Sequence, residues 1–297
     1  MIYSDTLSLA APESGACAAL GNFDGLHIGH RAVIGAAAAS GFFSVVVTFC
    51  RNPRGVLGAP PPTPLTRSLK MRELGRLGAD AVVELDFGEI RDLSPDEFAG
   101  LLFKNLRARQ VVCGYNYHFG RGGAGDAGAL KALAAKHGAS CAVIPPVTLG
   151  GEEVSSTAIR GLIIGGQLEK ANAMLGRAFA YDFPVVRGDG RGRGFGFPTA
   201  NQVFPRDFVL PKFGVYASKT VIGGKIHTSV TNVGTRPTYR TASPLSETHI
   251  HDFSGDLYGQ NVEVMLLSYL RGERLFENTD ALRAQLAADS ARSRIMG

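Results

Sequence analysis

Residues 21–30 read Gly-Asn-Phe-Asp-Gly-Leu-His-Ile-Gly-His, and this stretch decides the fold of the first half of the chain. It follows a short apolar run and precedes an alanine-rich run typical of a helix. A helix that begins here offers unpaired backbone N–H groups and a partial positive charge to an anion. His27 and His30 add donors, and Gly29 lacks the Cβ that would obstruct a close ligand. The stretch predicts a phosphate site, although an ordinary turn and helix start would also accommodate both histidines.

Apolar runs alternate with helical segments from this stretch as far as about Val147. The candidate strands are residues 16–20, 43–49, 81–85, 110–114 and 141–144. The candidate helices are residues 31–39, a segment that Ser94 caps, and residues 126–137. This alternation predicts an α/β fold with a doubly wound parallel sheet, whose ligand crevice lies at the carboxyl ends of the strands.

The pattern changes after about Ala180 to short β-rich runs without intervening helices. These runs are residues 185–186, 214–220, 225–233, 247–253 and 261–270. The pair Gly223-Gly224 between two of them predicts a two-residue hairpin, and a helix follows from Thr279 to about Ser293. We expect an antiparallel β-barrel with a C-terminal helix, and two domains, residues 1–181 and 182–297.

Composition narrows the functional classes. At 297 residues the chain is long for one globular core, and 45% hydrophobic with 19% charged residues argues against extensive disorder. The net charge of +5, with arginines largely among glycines, fits anionic substrates better than nucleic acid. Four cysteines without metal-ligand spacing, and no apolar run long enough for a membrane span, predict a cytoplasmic protein with free thiols. Any homo-oligomer is expected to be weak.

Three further segments of the first half are expected at the crevice. A basic loop, residues 50–54, follows the second predicted strand, and residues 114–121 add glycine-flanked aromatic rings with the amide of Asn116. Ser156 and Thr157 begin a helix with Arg160 one turn later, and these groups suit a leaving pyrophosphate. Taken separately, residues 114–121 would fit a tight turn with aromatic rings in the core equally well. The hydroxyl groups of Ser156 and Thr157 would likewise fit an ordinary helix cap.

The second half has its own candidate site. Residues 188–201 contain five glycines, Gly192 among them, before Thr199 and Asn201, whose neutral oxygens are suited to Mg²⁺ beside ATP phosphates. A surface loop has a similar glycine content. Phosphoryl transfer also needs a carboxylate, for which Glu247 is the candidate, although a lone Glu is more often an exposed strand residue.

With these motifs in order, the chain resembles the prokaryotic bifunctional riboflavin kinase/FMN adenylyltransferase family, also called FAD synthetase. The segments that carry the resemblance are residues 21–30, 114–120, 154–160, 192–201, 214–217, 232–238 and 247–259. The resemblance implies a nucleotidyltransferase domain that joins AMP from ATP to FMN and releases pyrophosphate. It also implies a six-stranded barrel that phosphorylates riboflavin with ATP and Mg²⁺.

The resemblance also implies roles for individual residues. His27, His30 and Asn116 would serve adenylylation, and Glu247 would activate the riboflavin 5′-hydroxyl. Thr199 and Asn201 would hold Mg²⁺ with ATP. The implied nucleotide-binding residues are Gly21, Phe23, Asp24, Gly25, Gly29, Ser156, Thr157, Arg160, Gly192, Thr199 and Asn201.

One segment departs from the family. Its members usually read T-F-x-P-H-P after the second strand, whereas this chain has Arg51 and Asn52 in place of the proline and histidine. An alternative is therefore a riboflavin kinase with a weakened or regulatory first domain. A cytidylyl- or pantetheine-phosphate adenylyltransferase would leave Glu247 and the glycine loop unexplained. A nucleic-acid-binding module is disfavoured because basic and aromatic residues are not interleaved.

Overall fold

The computed structural model describes residues 1–9, 11–53, 55, 58, 60–188, 191–235 and 243–296, with the backbone alone at 191 and 193. Arg54, Asp189, Gly190 and residues 236–238, which belong to motifs of the sequence analysis, lie outside this description. The chain forms two units, residues 1–61 with 70–156, and residues 62–69 with 157–297.

Six strands of the first unit form one parallel sheet. They are β1 (Ile2–Ser4), β2 (Ala16–Leu20), β3 (Phe43–Phe49), β4 (Ala81–Leu85), β5 (Ala108–Gly114) and β6 (Ser140–Ile144), in the spatial order β1-β4-β3-β2-β5-β6. Every residue of β2 and β4 is buried, which agrees with their largely apolar sequences, Glu84 being the one charged residue among them. After β2 the chain adds strands first on one side and then, with β5, on the other. This switch point opens a crevice beyond the carboxyl ends of β2 and β5.

Both units contain helices. Among the described residues, α1 (Ile28–Ala38), α2 (Arg67–Arg76), α3 (Phe87–Ile90), α4 (Pro95–Gly100) and α5 (Ala127–Lys136) follow strands of this sheet, and α6 (Ser156–Gly165) begins at the last residue of the first unit. The helices α7 (Leu168–Leu175), α8 (Arg191–Gly194) and α9 (Thr279–Met296) belong to the second unit. Ser94 and Glu97 form a capping box at α4, as the Ser-Pro-Asp-Glu sequence predicts. A two-stranded hairpin, β7 (Thr148–Leu149) and β8 (Glu152–Glu153), precedes α6.

The second unit contains an antiparallel sheet that closes on itself. Its strands are β9 (Phe179–Tyr181), β10 (Val185–Val186), β11 (Ala200–Val203), β12 (Gly214–Ile222), β13 (Lys225–Thr235), β14 (Pro244–Ile250) and β15 (Glu263–Arg271), in the order β10-β11-β14-β13-β12-β15-β9. The single segment 179–186 supplies both ends, because β9 pairs with β15 and β10 with β11. Between them Val185 N–H donates to Gln260 O at 2.9 Å, which completes the ring.

The two faces of this barrel differ in chemistry. Hydroxyl groups on the inner face bond to one another, as between Ser218 and Thr231 at 2.8 Å and between Thr231 and Thr248 at 2.9 Å. All three residues are fully buried, so each hydroxyl needs such a partner. Because side chains alternate along a strand, Glu247 and Asn232 lie on the opposite, outer face.

The fold class is the predicted one, and several boundaries differ. The predicted strand 247–253 is wrong at both ends, since β14 starts at Pro244 and ends at Ile250. Asp252 has a positive φ of 54°, which ends the extended backbone. The helix predicted from Arg31 begins at Ile28 instead, because His27 caps it. The Gly223-Gly224 hairpin is confirmed, with φ values of 54° and 80°.

Candidate functional site

The loop between β2 and α1 is held in an unusual backbone conformation. Phe23 and Leu26 have φ values of 48° and 47°, which cost about 1–3 kcal/mol each for residues other than glycine. Both side chains are fully buried, and their burial holds the turn in place. The turn delivers His27 to the start of α1, where its Nδ1 accepts the backbone N–H of His30 at 3.3 Å.

The two histidine rings lie face to face at the N-terminus of α1. Their centroids are 3.6 Å apart and the ring planes differ by 18°. A Cβ on Gly29 would lie 3.2 Å from the His27 ring, so glycine at this position leaves room for the imidazole. The sequence predicts both imidazoles in the turn before a helix that begins at Arg31; in the structure α1 begins three residues earlier, so His27 caps it and His30 lies in its first turn.

Burial keeps both rings neutral at pH 7. It lowers the pKa of His27 to about 4, although Asp24 opposes the shift. Burial, then the His27 ring, lowers the pKa of His30 to about 3. The Nδ1 atom of His30 is buried without a hydrogen-bond partner among the described residues. An anion bound beside these rings would raise both pKa values, because it stabilises the protonated form.

A cavity of about 400 Å³ opens beside the histidines, beyond the carboxyl ends of β2 and β5. It includes seven of the residues that the sequence predicts for this site: Gly21, Phe23, His27, Gly29, His30, Asn116 and Ser156. From β3 and its loop the lining takes Phe49 and Pro53, while Arg51 and Asn52 are outside it. Arg51 is exposed and Asn52 is half-buried.

Asp24 and Ser156 join the histidine loop to the start of α6. Ser156 Oγ donates to Asp24 Oδ1 at 2.5 Å, and Gly25 N–H donates to the same oxygen at 3.0 Å. Asp24 and Gly25 are not among the cavity residues. On the first turn of α6, Arg160 Nη2 donates to Thr157 Oγ1 at 3.3 Å. The cavity lining ends at Ser156.

One further residue of the cavity wall, Glu153, is not predicted from the sequence. Tyr115 Oη donates a hydrogen bond to the Glu153 carboxylate, and both residues line the cavity. Glu153 lies in the hairpin of β7 and β8, whose turn is Gly150-Gly151 with φ values of 59° and 84°. That glycine pair is the signal that would have predicted the hairpin.

The outer face of the barrel forms a second cavity, of about 570 Å³, with α9. Glu247 lies in the middle of β14, where its cross-strand neighbours are Asn201 on β11 and Asn232 on β13. His249 shares this face, and its Nδ1 donates to Pro198 O at 3.0 Å. The barrel register therefore brings together Glu247 and Asn201, which are 46 positions apart in the sequence.

Four of the side-chain contacts that fasten α9 over this cavity involve its residues 289–294. Arg271 donates to Asp289 from Nε at 3.0 Å and from Nη2 at 2.6 Å. His251 bridges Thr228 and Ser290 at 2.9 Å each, and burial lowers its pKa to about 4, so the ring is neutral. The other two contacts are Ser293 with the carbonyl of Ser229 and Arg294 with Asp252. The sequence predicts the helix but none of these anchors.

Thr199 connects this cavity with a third one, of about 510 Å³, because it lines both. Asn201 follows in β11 and is buried, and its Nδ2 donates to Thr199 O at 3.3 Å. Gly192 sits in the turn before them, where a Cβ would approach Phe197 O to 2.3 Å. Its own carbonyl accepts Phe197 N–H at 2.8 Å, so the glycine makes the turn tight.

Two family models match the chain, one in each half. The model described as FAD synthetase matches residues 10–158, and that described as riboflavin kinase matches residues 175–296. A bifunctional riboflavin kinase/FMN adenylyltransferase of Listeria monocytogenes is 34% identical over 287 residues, which cover 93% of this chain and 90% of the relative. One of Escherichia coli is 35% identical over 293 residues, with 96% and 93% covered. These matches support two activities over the kinase-only alternative.

A solved structure has the same fold over its whole length. It is a crystal structure named macrolide-efflux protein from Streptococcus pneumoniae, with a TM-score of 0.87 and 30% identity over 99% of this chain and 98% of that one. Within the described ranges, no helix has the length and apolarity to cross a bilayer. The two matched activities use riboflavin, FMN and ATP, and generally a divalent metal ion. The chain therefore belongs to the bifunctional riboflavin kinase/FMN adenylyltransferase family and carries both activities.

Proposed function

We propose that riboflavin is phosphorylated where the 570 Å³ and 510 Å³ cavities meet, and that FMN is adenylylated in the 400 Å³ cavity beside the histidines. The observation that carries the first assignment is the position of Thr199 in the walls of both barrel cavities. Two substrates, one in each cavity, would meet at this residue. Incubating the protein with riboflavin, ATP and Mg²⁺ and separating FMN from FAD over time tests both reactions together.

The larger barrel cavity suits the flavin because its wall is rich in aromatic and aliphatic side chains. Phe195, Phe197 and Phe276 offer ring faces for a planar heterocycle, and Leu282 and Leu286 of α9 add apolar surface. Glu247 accepts the proton of the riboflavin 5′-hydroxyl as its oxygen bonds to the γ-phosphorus and the bond to ADP breaks. The smaller cavity, with Phe253 and Tyr258, is left for ATP.

Thr199 and Asn201 would hold Mg²⁺ with the ATP phosphates. Both offer neutral oxygens, and magnesium prefers oxygen ligands completed by substrate phosphates. The bond from Asn201 Nδ2 to Thr199 O links the side chain of Asn201 to the backbone of Thr199. Bound there, Mg²⁺ neutralises negative charge on the phosphates. Gly192 contributes by keeping the preceding turn close to Thr199.

In the first unit, His27 and His30 stabilise the ATP phosphates while an FMN phosphate oxygen attacks the α-phosphorus and pyrophosphate leaves. Their neutral rings and the N-terminus of α1 support this role, because each ring donates one N–H to an anion. Asn116 serves the same site from the loop after β5. Ser156, at the start of α6, holds the phosphates; the phosphate-binding role of Thr157 and Arg160, which fall in the second unit, stays a prediction. Asp24 orients Ser156, and Gly21, Phe23, Gly25 and Gly29 shape the loop.

A cytoplasmic location, weak self-association and the absence of nucleic-acid partners belong to the same proposal. All four cysteines are free thiols, which is compatible with a reducing compartment. Adding duplex DNA or RNA should leave both reaction rates unchanged. The division of the chain at residues 181 and 182 also stays a prediction, and it is tested by the fragments described next.

A fragment of residues 167–297 should fold and make FMN but no FAD. It keeps α7, whose Asn172 donates from Nδ2 to Leu266 O at 3.0 Å and accepts Phe179 N–H at 2.7 Å, so β9 stays in the barrel. The same fragment begun at residue 182 lacks β9 and should unfold at a lower temperature. Activity assays with circular dichroism distinguish the two. A fragment 167–297 that folds yet leaves riboflavin unchanged contradicts the division into two sites.

Adenylylation should be the slower activity, so FMN accumulates before FAD when riboflavin and ATP are supplied. Asn52 donates a hydrogen bond without positive charge, and charge-assisted bonds to phosphate are roughly twice as strong. The exposed Arg51 carries a charge on a longer side chain, which would approach a phosphate differently from an imidazolium. Changing Arg51→Pro and Asn52→His together should raise FAD formation about tenfold, a gain of ~1.4 kcal/mol, with FMN formation unchanged. Loss of FAD formation in this variant would show that Arg51 and Asn52 replace the usual proline and histidine functionally in this chain.

A further inference from the structure

A buried lysine outside the predicted motifs contacts the histidine loop. Lys70 lies on α2 and is 8% exposed, whereas lysine is almost never buried without partners. Its Nζ donates to the backbone oxygen of Asn22 at 3.2 Å and to Thr48 Oγ1 at 3.0 Å. Asn22 is the second residue of the loop after β2, and Thr48 is the penultimate residue of β3.

These contacts form a closed triangle. Thr48 Oγ1 itself donates to Asn22 O at 2.7 Å, so this one carbonyl accepts from both the hydroxyl and the ammonium. The hydroxyl in turn accepts from the ammonium. The triangle therefore fixes the Asn22 carbonyl to the end of β3 and to α2 at the same time.

The fixed carbonyl lies directly before the strained part of the loop. Phe23 follows it with its φ of 48°, and the same turn leads through Leu26 to the histidine pair. A positive φ persists at a residue other than glycine only where its surroundings hold it. A second contact joins α2 to α1 at the residue that follows His30, since Arg31 Nη1 lies 3.5 Å from Glu73 Oε2. The ammonium is also close enough to His30 to contribute, after burial and His27, to the low pKa of that ring.

We propose that Lys70 is a positioning residue for adenylylation, which acts with Thr48 through the Asn22 carbonyl to hold the histidine loop in the shape that receives ATP. The proposal rests on the assignment of adenylylation to the 400 Å³ cavity. Lys70 is not among the residues lining that cavity, so it acts through the loop and not by contact with the substrate. Its removal should lower kcat for FAD formation, because a small displacement of phosphate-binding groups costs up to about a hundredfold.

The test compares variants in the full chain, with FMN formation in the second unit as the internal standard. Lys70→Met should lower kcat for FAD formation roughly 10- to 100-fold, and leave FMN formation within about twofold. Thr48→Val, which keeps the shape of the side chain without the hydroxyl, should lower it by a smaller factor. Thr48→Ser keeps the hydroxyl and should restore most of the rate. Lys104→Met removes an exposed lysine of the same unit and should change neither activity.

The double variant Lys70→Met with Thr48→Val gives the sharpest result. Because both side chains act on one carbonyl, its loss should be no larger than that of Lys70→Met alone. Multiplied losses overturn the shared mechanism, as does a Lys70→Met protein that makes FAD within twofold of the natural rate. If Lys70→Met also loses FMN formation through misfolding, the comparison of Thr48→Val with Thr48→Ser tests the proposal instead. Equal rates of FAD formation in these two variants overturn it. If replacing His27 also leaves FAD formation intact, the site assignment itself has failed.

Discussion

Replacing Glu247 by glutamine should lower FMN formation by roughly two to four orders of magnitude, the range for loss of an acid/base group. The amide has nearly the shape of the carboxylate and keeps the place of residue 247 between Asn201 and Asn232 in the barrel. It cannot accept the proton of the riboflavin hydroxyl, so the chemical step suffers while flavin binding persists. Steady-state assays of FMN formation, with riboflavin binding followed by flavin fluorescence, separate kcat from affinity.

Two controls accompany this variant. Glu277→Gln changes an exposed carboxylate of the same unit and should leave the rate of FMN formation unaltered. FAD formation from supplied FMN should also be normal, since it depends on the first unit. A Glu247→Gln protein that turns over riboflavin at nearly the natural rate would remove Glu247 from the mechanism.

Replacing His27 by asparagine should lower FAD formation about 10²- to 10³-fold, as for loss of one preorganised donor to a developing charge. Asparagine is chosen because its side-chain oxygen can accept the His30 N–H that His27 Nδ1 accepts now, so α1 keeps its cap. The imidazole, its stacking on His30 and its capacity to gain a proton beside the phosphates are lost. Rates of FAD formation from FMN and ATP measure the effect.

The comparison variant for this prediction is His27→Ala, which loses both the ring and the cap. It should show the same catalytic loss. It should also unfold at a lower temperature, because loss of the cap lowers the free energy of unfolding by about 1 kcal/mol. FMN formation should be normal in both proteins. If His27→Asn makes FAD at the natural rate, the 400 Å³ cavity is not the adenylylation site, whatever the effect of Lys70.

Much of the fold is readable from local sequence. The buried strands β2, β3 and β4 are predominantly apolar runs of five to seven residues, and each matches its prediction to the residue. The strand β1 was missed because its three residues form the edge of the sheet and leave Ile2 and Tyr3 half exposed, without a periodic pattern. The strand β9 was missed because three residues at a domain boundary carry too little pattern, although they complete the barrel.

In the candidate sites, too, some features follow from local sequence and others only from the tertiary structure. By itself the sequence determined the parallel and antiparallel halves and the turn that leads from β2 into a helix, since these depend on neighbours within a few positions. Only the tertiary structure decided that Glu247 lies between Asn201 and Asn232, that Thr199 lines two cavities, and that Lys70 holds the loop of Asn22. Those arrangements depend on strand register and on contacts between residues 15 to 48 positions apart, which no local pattern encodes.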